Sequence, residues 1–191
     1  MKKILSVFLL LIIFASLEGQ DSFVDRRDGT EYGIITISGV TWMAENLKFE
    51  AKEGAVLFDK DSNNMPGYGL LYDWKTAIKT CPSGWHLPTG EEFRSLTNYF
   101  EHKENWGNIT SDSTSFGIQL GGLQDCEGTF SELDESGYCW TSTEYSKNAA
   151  EYFSYLMIDG MKIIDISRNA DIADIHGTEK SNKYSVRCVK N

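Results

Sequence analysis

Residues 81–96, with the sequence CPSGWHLPTGEEFRSL, constrain the fold more strongly than any other part of the chain. Pro82 and Pro88 bracket a turn, because each proline restricts its own φ and disfavours helix in the residue before it. Thr89 follows the second proline and Glu92 lies three residues later, which is the spacing of a capping box. The two side chains of such a box bond to free backbone N–H groups, so the sequence predicts that a helix begins here.

The helix predicted after Thr89 has one apolar face. Phe93, Leu96 and Phe100 recur at helical spacing, which buries one side of a helix. Leu87 is spaced to pack against Phe93 across the helix start. We therefore expect a helix that runs to about residue 101 and packs on the core.

Two dipeptides predict β-hairpins. Ser38-Gly39 separates two strand patterns between residues 32 and 43, and Asp159-Gly160 lies between two further apolar runs. Such dipeptides favour the tight turns that connect antiparallel strands. Residues 184–189 are expected to form the final strand.

The remaining segments point to an α+β domain. Residues 71–78 predict a short first helix that ends before Cys81, whereas residues 48–69 are rich in turn formers and are expected to be irregular. Two short helices with many short strands predict an α+β domain, in which the helices pack on small antiparallel sheets.

The first 19 residues have the pattern of a secretory signal peptide. Lys2 and Lys3 supply positive charge, residues 4–17 are mostly apolar, and Gly19 offers a small residue at the cleavage point. The apolar run is shorter than the roughly 20 residues that a transmembrane helix needs. We expect an exported protein, secreted or kept in the cell envelope, with no membrane span after signal removal. An uncleaved anchor is the alternative.

Residues 28–191 are expected to form one domain after a short polar leader at residues 20–27. Apolar residues make up 41% of the chain and aromatic residues 13%, which is typical of a packed globule. The formal net charge is −10, and Lys and Arg do not cluster beyond the N-terminus. Because phosphate groups bind clustered cations, this charge disfavours nucleic acid and anionic membrane surfaces as partners.

The cysteines predict two disulfides. Cys81, Cys126, Cys139 and Cys188 are even in number, and an exported protein passes through an oxidising compartment. No C-x-x-C pair occurs, so a zinc site has little support. Three pairings are possible. We favour Cys81–Cys188 with Cys126–Cys139, because the second pair brackets a segment that is rich in turns.

Several separated motifs resemble one family of bacterial proteins, the Fibrobacter succinogenes major paralogous domain. The motifs are DGTEY (28–32), WMAENL (42–47), YGLLYDW (68–74), CPSGWHLP (81–88), residues 116–122, YCWTST (138–143) and VRCVK (186–190). The resemblance covers residues 28–190. It implies an exported or surface-attached bacterial protein, and it implies no established biochemical activity.

That family in turn is similar to the C-type-lectin-like fold and its formylglycine-generating-enzyme branch, through the LPTGEE helix entry at residues 87–92. The resemblance implies a disulfide between the first helical region and the last strand, here Cys81–Cys188. The chain lacks the Glu-Pro-Asn, Gln-Pro-Asp and Trp-Asn-Asp sequences that bind calcium in sugar-binding lectins. It also lacks a match to the reactive cysteine pair of the enzyme branch.

No motif selects a catalytic residue. His86 lies near Cys81, but a disulfide-bonded cysteine has no thiolate to act as a nucleophile. His102 and His176 lie in polar segments without the spacing of metal ligands. We therefore expect no enzyme and no metal site.

An acidic stretch late in the chain is the segment considered for calcium binding. It contains Asp165, Asp171, Asp174 and Glu179, but without the spacing of an EF-hand loop. A solvated acidic loop is the favoured interpretation. We therefore expect no cofactor, and calcium binding has no motif to support it.

Aromatic residues outside the core patterns are the candidates for ligand binding. Trp42, Trp74, Trp85 and Trp140 lie within strand, helix or turn motifs and are expected in the core. Trp106 lies in a polar segment, and with Tyr145 and Tyr152 it is the candidate for stacking on a sugar or a protein partner. The sequon at Asn108 is interpreted as a chance occurrence.

The sequence therefore predicts a non-catalytic binding or adhesion module of the cell surface or envelope. Its expected partner is a glycan or a cell-surface protein, bound by loops at residues 102–115 and 143–182. One alternative is an enzyme, either of the formylglycine-generating type or a hydrolase. The other is a structural envelope protein without a ligand.

Overall fold

The computed structural model describes residues 21–100, 116–117, 119–158, 161–163 and 178–191, with residues 156–158 and 161–163 described by their backbone alone. In chain order the strands are β1 (Ser22–Val24), β2 (Glu31–Ile37), β3 (Val40–Met43), β4 (Ala55–Val56), β5 (Leu71–Asp73), β6 (Trp85–His86), β7 (Gly121–Gln124), β8 (Phe130–Leu133), β9 (Ser136–Glu144), β10 (Ala149–Ile158), β11 (Met161–Ile163), β12 (Thr178–Glu179), β13 (Lys183–Ser185) and β14 (Val189–Lys190). The helices are α1 (Met65–Tyr68), α2 (Trp74–Thr80) and α3 (Gly90–Phe100), with 3₁₀ turns at Phe58–Lys60 and Ser62–Asn64.

The strands form two sheets, so the fold is α+β with more strand than helix. The smaller sheet has the order β1-β2-β3-β14-β6. The larger has the order β11-β10-β9-β7-β13-β5-β4, with β8 paired to β7 and β12 paired to β10. Most pairs are antiparallel, but β9 runs parallel to β7 and to β13. In the part of the chain that is described, no helix is long and apolar enough to cross a membrane.

The capping box at α3 is confirmed. Glu92 N donates to Thr89 Oγ1 at 3.2 Å, and Thr89 N donates to Glu92 Oε2 at 2.7 Å. Phe93, Leu96 and Phe100 are all buried, as their spacing predicts. Leu87 is also buried, but it belongs to the core cluster around Trp140 and not to the one that contains Phe93.

Both hairpin predictions are confirmed. Ser38 and Gly39 adopt φ of 50° and 82° between β2 and β3, and Ile37 pairs with Val40 across the turn. Two positive φ values in succession make the turn that fits the twist of a hairpin. The backbones of β10 and β11 pair through Ile158 and Met161, on either side of residues 159 and 160.

The first predicted helix begins later than expected. Residues 71–73 form β5, which pairs with β4 and β13, and α2 begins only at Trp74. Asp73 ends the strand and caps the helix, because its Oδ1 accepts a hydrogen bond from Thr76 N at 2.8 Å. A further helix, α1, lies in residues 48–69, which were expected to be irregular.

The polar leader is not a loose segment. Ser22–Val24 form β1, whose residues pair with Glu31, Tyr32 and Gly33 of β2. Asp25 is fully buried and forms an ion pair with Arg27 at 2.6 Å. Residues 22–24 of this segment therefore belong to the small sheet, because their pairing with β2 holds them there.

The predicted final strand divides between the two sheets. Lys183–Ser185 pair in the larger sheet as β13, whereas Val189 and Lys190 pair in the smaller sheet as β14. The three residues between them are fully buried. The chain thus crosses from one sheet to the other through the core.

Arg187, at this crossing, is fully buried. Its Nη2 donates to Asn46 Oδ1 at 2.8 Å and to the Gly117 carbonyl at 2.9 Å, and Nη1 donates to the Phe116 carbonyl. No carboxylate among the described residues forms an ion pair with it. Neutral oxygens therefore solvate this buried cation, and Arg187 ties the crossing to residues 116–117.

The structure confirms one predicted disulfide and corrects the other. Cys81 and Cys188 are bonded, with their Cα atoms 5.9 Å apart. Cys126 and Cys139 are free thiols, so the Cys126–Cys139 prediction is wrong. Cys139 lies on β9 opposite Phe153 and is buried in the core, whereas Cys126 is exposed in the turn between β7 and β8. The two side chains therefore lie in different environments.

Candidate functional site

Three tyrosines from different strands meet on one face of the larger sheet. Tyr138 lies on β9, Tyr152 on β10 and Tyr184 on β13. Their ring centroids are 5.1 Å apart for Tyr138 and Tyr184, 5.2 Å for Tyr152 and Tyr184, and 5.9 Å for Tyr138 and Tyr152. We call these three residues the tyrosine cluster.

Strand pairing explains why the three rings share a face. Tyr152 lies directly opposite Trp140 across the β9–β10 pair, and Tyr138 lies opposite Ser154. Directly opposed residues of antiparallel strands point to the same side of a sheet. Trp140 is fully buried beneath the cluster, with its ring centroid 4.5 Å from that of Tyr184. Tyr184 is buried as well, whereas Tyr138 and Tyr152 are half-buried.

Polar groups border the tyrosine cluster. Tyr138 donates from its hydroxyl to Glu132 Oε2 at 2.6 Å, and Tyr184 donates to Thr178 Oγ1 at 3.2 Å. Asn182 Nδ2 donates to the same Thr178 oxygen at 2.6 Å. The Oδ1 atom of Asn182 is buried and has no hydrogen-bond partner. The border therefore combines a carboxylate, hydroxyl groups and an amide with an unused acceptor.

Burial raises the pKa of Tyr184, and burial together with the Glu132 carboxylate raises the pKa of Tyr138. These two phenols therefore keep their protons at neutral pH and donate them to Thr178 and Glu132, so they offer aromatic faces and hydroxyl acceptors and not phenolate nucleophiles. Such a surface suits a ligand that has both C–H faces and hydroxyl groups.

The predicted ligand-binding residues lie in different places. Tyr152 is part of the tyrosine cluster. Tyr145 is 52% exposed in the turn between β9 and β10, and the described residues show no ring contact between it and the cluster. Trp106, the whole segment 102–115 and Asn108 lie outside the described residues.

Sequence reasoning did not select Tyr138 and Tyr184 for the site. Tyr138 and Trp140 alternate along β9, and this spacing places them on one face of a strand. The alternation alone could have marked Tyr138. Tyr184 could not have been found in this way, because its approach depends on the position of β13 beside β9, which Ser185 and Cys139 define by pairing.

The tryptophans largely follow the prediction. Trp42, Trp85 and Trp140 are buried, whereas Trp74 is half-buried. Trp74 Nε1 donates to the Thr141 carbonyl at 2.8 Å, which fixes the indole at the start of α2.

Neither free thiol is activated. Burial raises the pKa of Cys139, and a hydrogen bond to Glu179 raises the pKa of Cys126. The thiolate is the reactive form of cysteine, so both shifts work against nucleophilic chemistry. Cys81, which lies near His86 in the sequence, has no thiol because it is bonded to Cys188.

Both ring nitrogens of His86 contact side-chain oxygens of the protein. Its Nε2 lies 3.1 Å from Glu92 Oε1, and its Nδ1 lies 2.6 Å from Asn191 Oδ1. The Glu92 carboxylate also accepts from Thr89 at the start of α3. These contacts join the end of the chain to the capping box.

Within the described ranges, no group of three or more His, Cys, Asp or Glu side chains is placed to hold a metal ion. Of the predicted acidic stretch, only Glu179 is described. Asp165, Asp171 and Asp174, together with His102 and His176, lie outside these ranges.

One family model matches the chain. It is described as the Fibrobacter succinogenes major domain, and the match covers residues 35–190. No curated protein and no solved structure gave a match.

Proposed function

The chain belongs to the Fibrobacter succinogenes major domain family, and we propose that it is an exported, non-catalytic module that binds uncharged glycans through its tyrosine cluster. One observation carries this proposal. The half-buried rings of Tyr138 and Tyr152 lie against each other on one face of the larger sheet, and the hydroxyl of Tyr138 is bonded to the Glu132 carboxylate.

Sugar chemistry fits the cluster in two ways. A pyranose ring has apolar C–H faces that pack on aromatic rings, and Tyr138 and Tyr152 offer such rings at low cost in side-chain entropy. Its hydroxyl groups donate and accept hydrogen bonds. The partly buried Glu132 carboxylate at the border of the rings accepts one bond from Tyr138 and has further lone pairs, so it can also accept from a sugar hydroxyl.

Charge favours uncharged glycans over anionic ones. The chain carries a formal net charge of −10, and the carboxylate of Glu132 lies at the cluster itself. Lys183, the cation nearest in sequence to Tyr184, donates to Gln124 Oε1 at 2.8 Å. Uronic acids and phosphate-bearing polymers would therefore approach a repulsive surface.

The same proposal includes a lectin-like arrangement and an exported location. The Cys81–Cys188 disulfide joins the end of α2 to the segment before β14, which agrees with the lectin-like pattern. Disulfides persist in oxidising compartments, so this bond also supports export. The raised pKa values of Cys126 and Cys139 favour a binding role over thiol catalysis.

A glycan array with the chain from residue 20 onward tests the proposal, followed by calorimetry on the best uncharged ligand. We expect Tyr152→Ala to weaken binding about tenfold, since it removes one stacking ring. Tyr152→Phe, which keeps the ring, should bind like the parent protein. Tyr145→Ala distinguishes the cluster from the neighbouring turn and should have little effect. Absence of binding to every glycan would overturn the proposal.

A further inference from the structure

The ammonium group of Lys180 lies in a cradle made by the turn between β9 and β10. Its Nζ forms an ion pair with Glu144 Oε1 and donates to the carbonyls of Ser146 and Lys147 at 2.9 and 3.0 Å. The indole of Trp74 closes the cradle, with its ring centroid 4.4 Å from Nζ. We call Glu144, Ser146, Lys147 and Trp74 the Lys180 cradle.

The composition of the cradle matches the chemistry of a primary ammonium ion. Such an ion has three N–H donors and no acceptor, and three oxygens of the cradle receive them. The aromatic face adds the attraction of its π electrons for a cation. The Lys180 side chain is only 18% exposed, so the surrounding water screens these interactions less than at an open surface.

The backbone of Lys180 adds to the effect of its side chain. Its N–H donates to the Asn148 carbonyl at 3.0 Å, so three successive carbonyls of the turn, from residues 146 to 148, bond to one lysine. Inside the turn, the N–H groups of Tyr145 and Ser146 both donate to the Ala149 carbonyl, at 3.1 and 3.0 Å. The turn that presents the exposed Tyr145 is therefore built around Lys180.

We infer that the cradle is an ammonium-binding site which the protein fills with its own Lys180. This internal cation orders the Tyr145 turn. The inference does not depend on glycan binding, because it concerns the shape of the turn with or without a ligand.

Amide hydrogen exchange tests the role of the ammonium. In Lys180→Met, which keeps the length of the side chain and removes its charge, we expect the Tyr145 and Ser146 amides to exchange about tenfold faster. The amides of α3 should keep their rates, which shows that the fold persists. Lys183→Met is the matched control, since its amine bonds to Gln124 and not to the turn. Unchanged exchange in Lys180→Met would overturn the inference.

Chemical rescue tests the ligand class of the cradle. Lys180→Ala leaves space for the missing part of the side chain, so added propylammonium should raise its melting temperature and slow the exchange of the turn amides. Neutral 1-propanol, and sodium chloride at equal ionic strength, should not do so. Rescue by propanol as well would mean that the cradle recognises the alkyl chain and not the ammonium, against the inference.

A third measurement concerns divalent metal in the unmodified protein. If Lys180 supplies the cation, then neither EDTA nor added calcium changes the exchange of the Tyr145 and Ser146 amides. Faster exchange in EDTA that calcium reverses would show that a metal orders the turn, and the inference would fail. A glycan array without binders would overturn the proposed function and leave this result unaffected.

Discussion

Removal of the Cys81–Cys188 disulfide should lower the free energy of unfolding by about 5 kcal/mol. The two cysteines are 107 residues apart in sequence. In the chain-entropy model, a cross-link that closes a loop of about 100 residues destabilises the unfolded chain by about 4.7 kcal/mol. Cys188 is also fully buried in the core cluster around Trp140, so loss of its sulfur adds a smaller packing term.

This loss is comparable with the whole stability of a typical domain, which is about 5–15 kcal/mol. The double variant Cys81→Ala/Cys188→Ala should therefore lie near its folding threshold at 25 °C. It should also unfold with a larger urea m-value, because its unfolded state is less compact without the cross-link.

Urea denaturation followed by tryptophan fluorescence measures both quantities, on the chain from residue 20 onward. The parent protein unfolded in the presence of dithiothreitol provides a second way to break the same bond. Cys126→Ala is the matched control, since Cys126 is an exposed free thiol and its loss should change stability by less than about 0.5 kcal/mol. A loss below about 1 kcal/mol in both the double variant and the reduced protein would refute the reasoning, as would a Cys126→Ala variant that is equally damaged.

Three further predictions concern the core. Arg187→Met should lower stability by more than about 3 kcal/mol in urea denaturation, because Asn46 Oδ1 and the carbonyls of Phe116 and Gly117 lose their donors at about 1–3 kcal/mol each; a loss under 1 kcal/mol would contradict this. Gly137→Ala should lower the melting temperature, since its Cβ would lie 2.1 Å from Tyr155 Cε2 and overpacking of this kind costs about 1–3 kcal/mol. Gly67→Ala is the matched control, because Gly67 has open space around its Cβ and no positive φ, and its melting temperature should not fall. Burial raises the pKa of Tyr32 to about 12. Because the folded state favours the protonated phenol, Tyr32 contributes fully to folding stability below the unfolded pKa of about 10, and this contribution is lost as the pH rises from there to 12. The melting temperature of Tyr32→Phe should therefore fall less steeply between these pH values than that of the parent protein. Equal pH profiles for the two proteins would contradict this prediction.

Local sequence signals predicted the elements whose causes lie within a few residues. The capping box of Thr89 and Glu92 and the Ser38-Gly39 turn were both predicted, because each depends on bonds between near neighbours. The start of α2 was predicted too early, because it depends on contacts that are distant in sequence. Leu71 fits the apolar spacing of a helix, and only the pairing of residues 71–73 with β4 and β13 makes them a strand.

The sites depend on contacts that the sequence does not display. Tyr152 was selected as an aromatic outside the core patterns, yet its partners Tyr138 and Tyr184 lie 14 and 32 positions away in the numbering and reach it through strand pairing. No sequence pattern selected Lys180, because a single lysine in a polar segment has no distinguishing spacing. Its contacts depend on the fold, which brings the Trp74 ring and the turn carbonyls to its amine.

The α3 entry, the hairpins and the family could be read from the residues alone, and the Cys81–Cys188 pair was favoured among three possible pairings. The separation of Cys126 from Cys139, the division of the final strand between two sheets and the shared face of the three tyrosines appear only in the folded chain. Capping and turn formation are set by a few neighbouring residues, whereas strand register and burial are set by the packing of the whole chain, and a side chain gains its partners only when distant strands have been brought together.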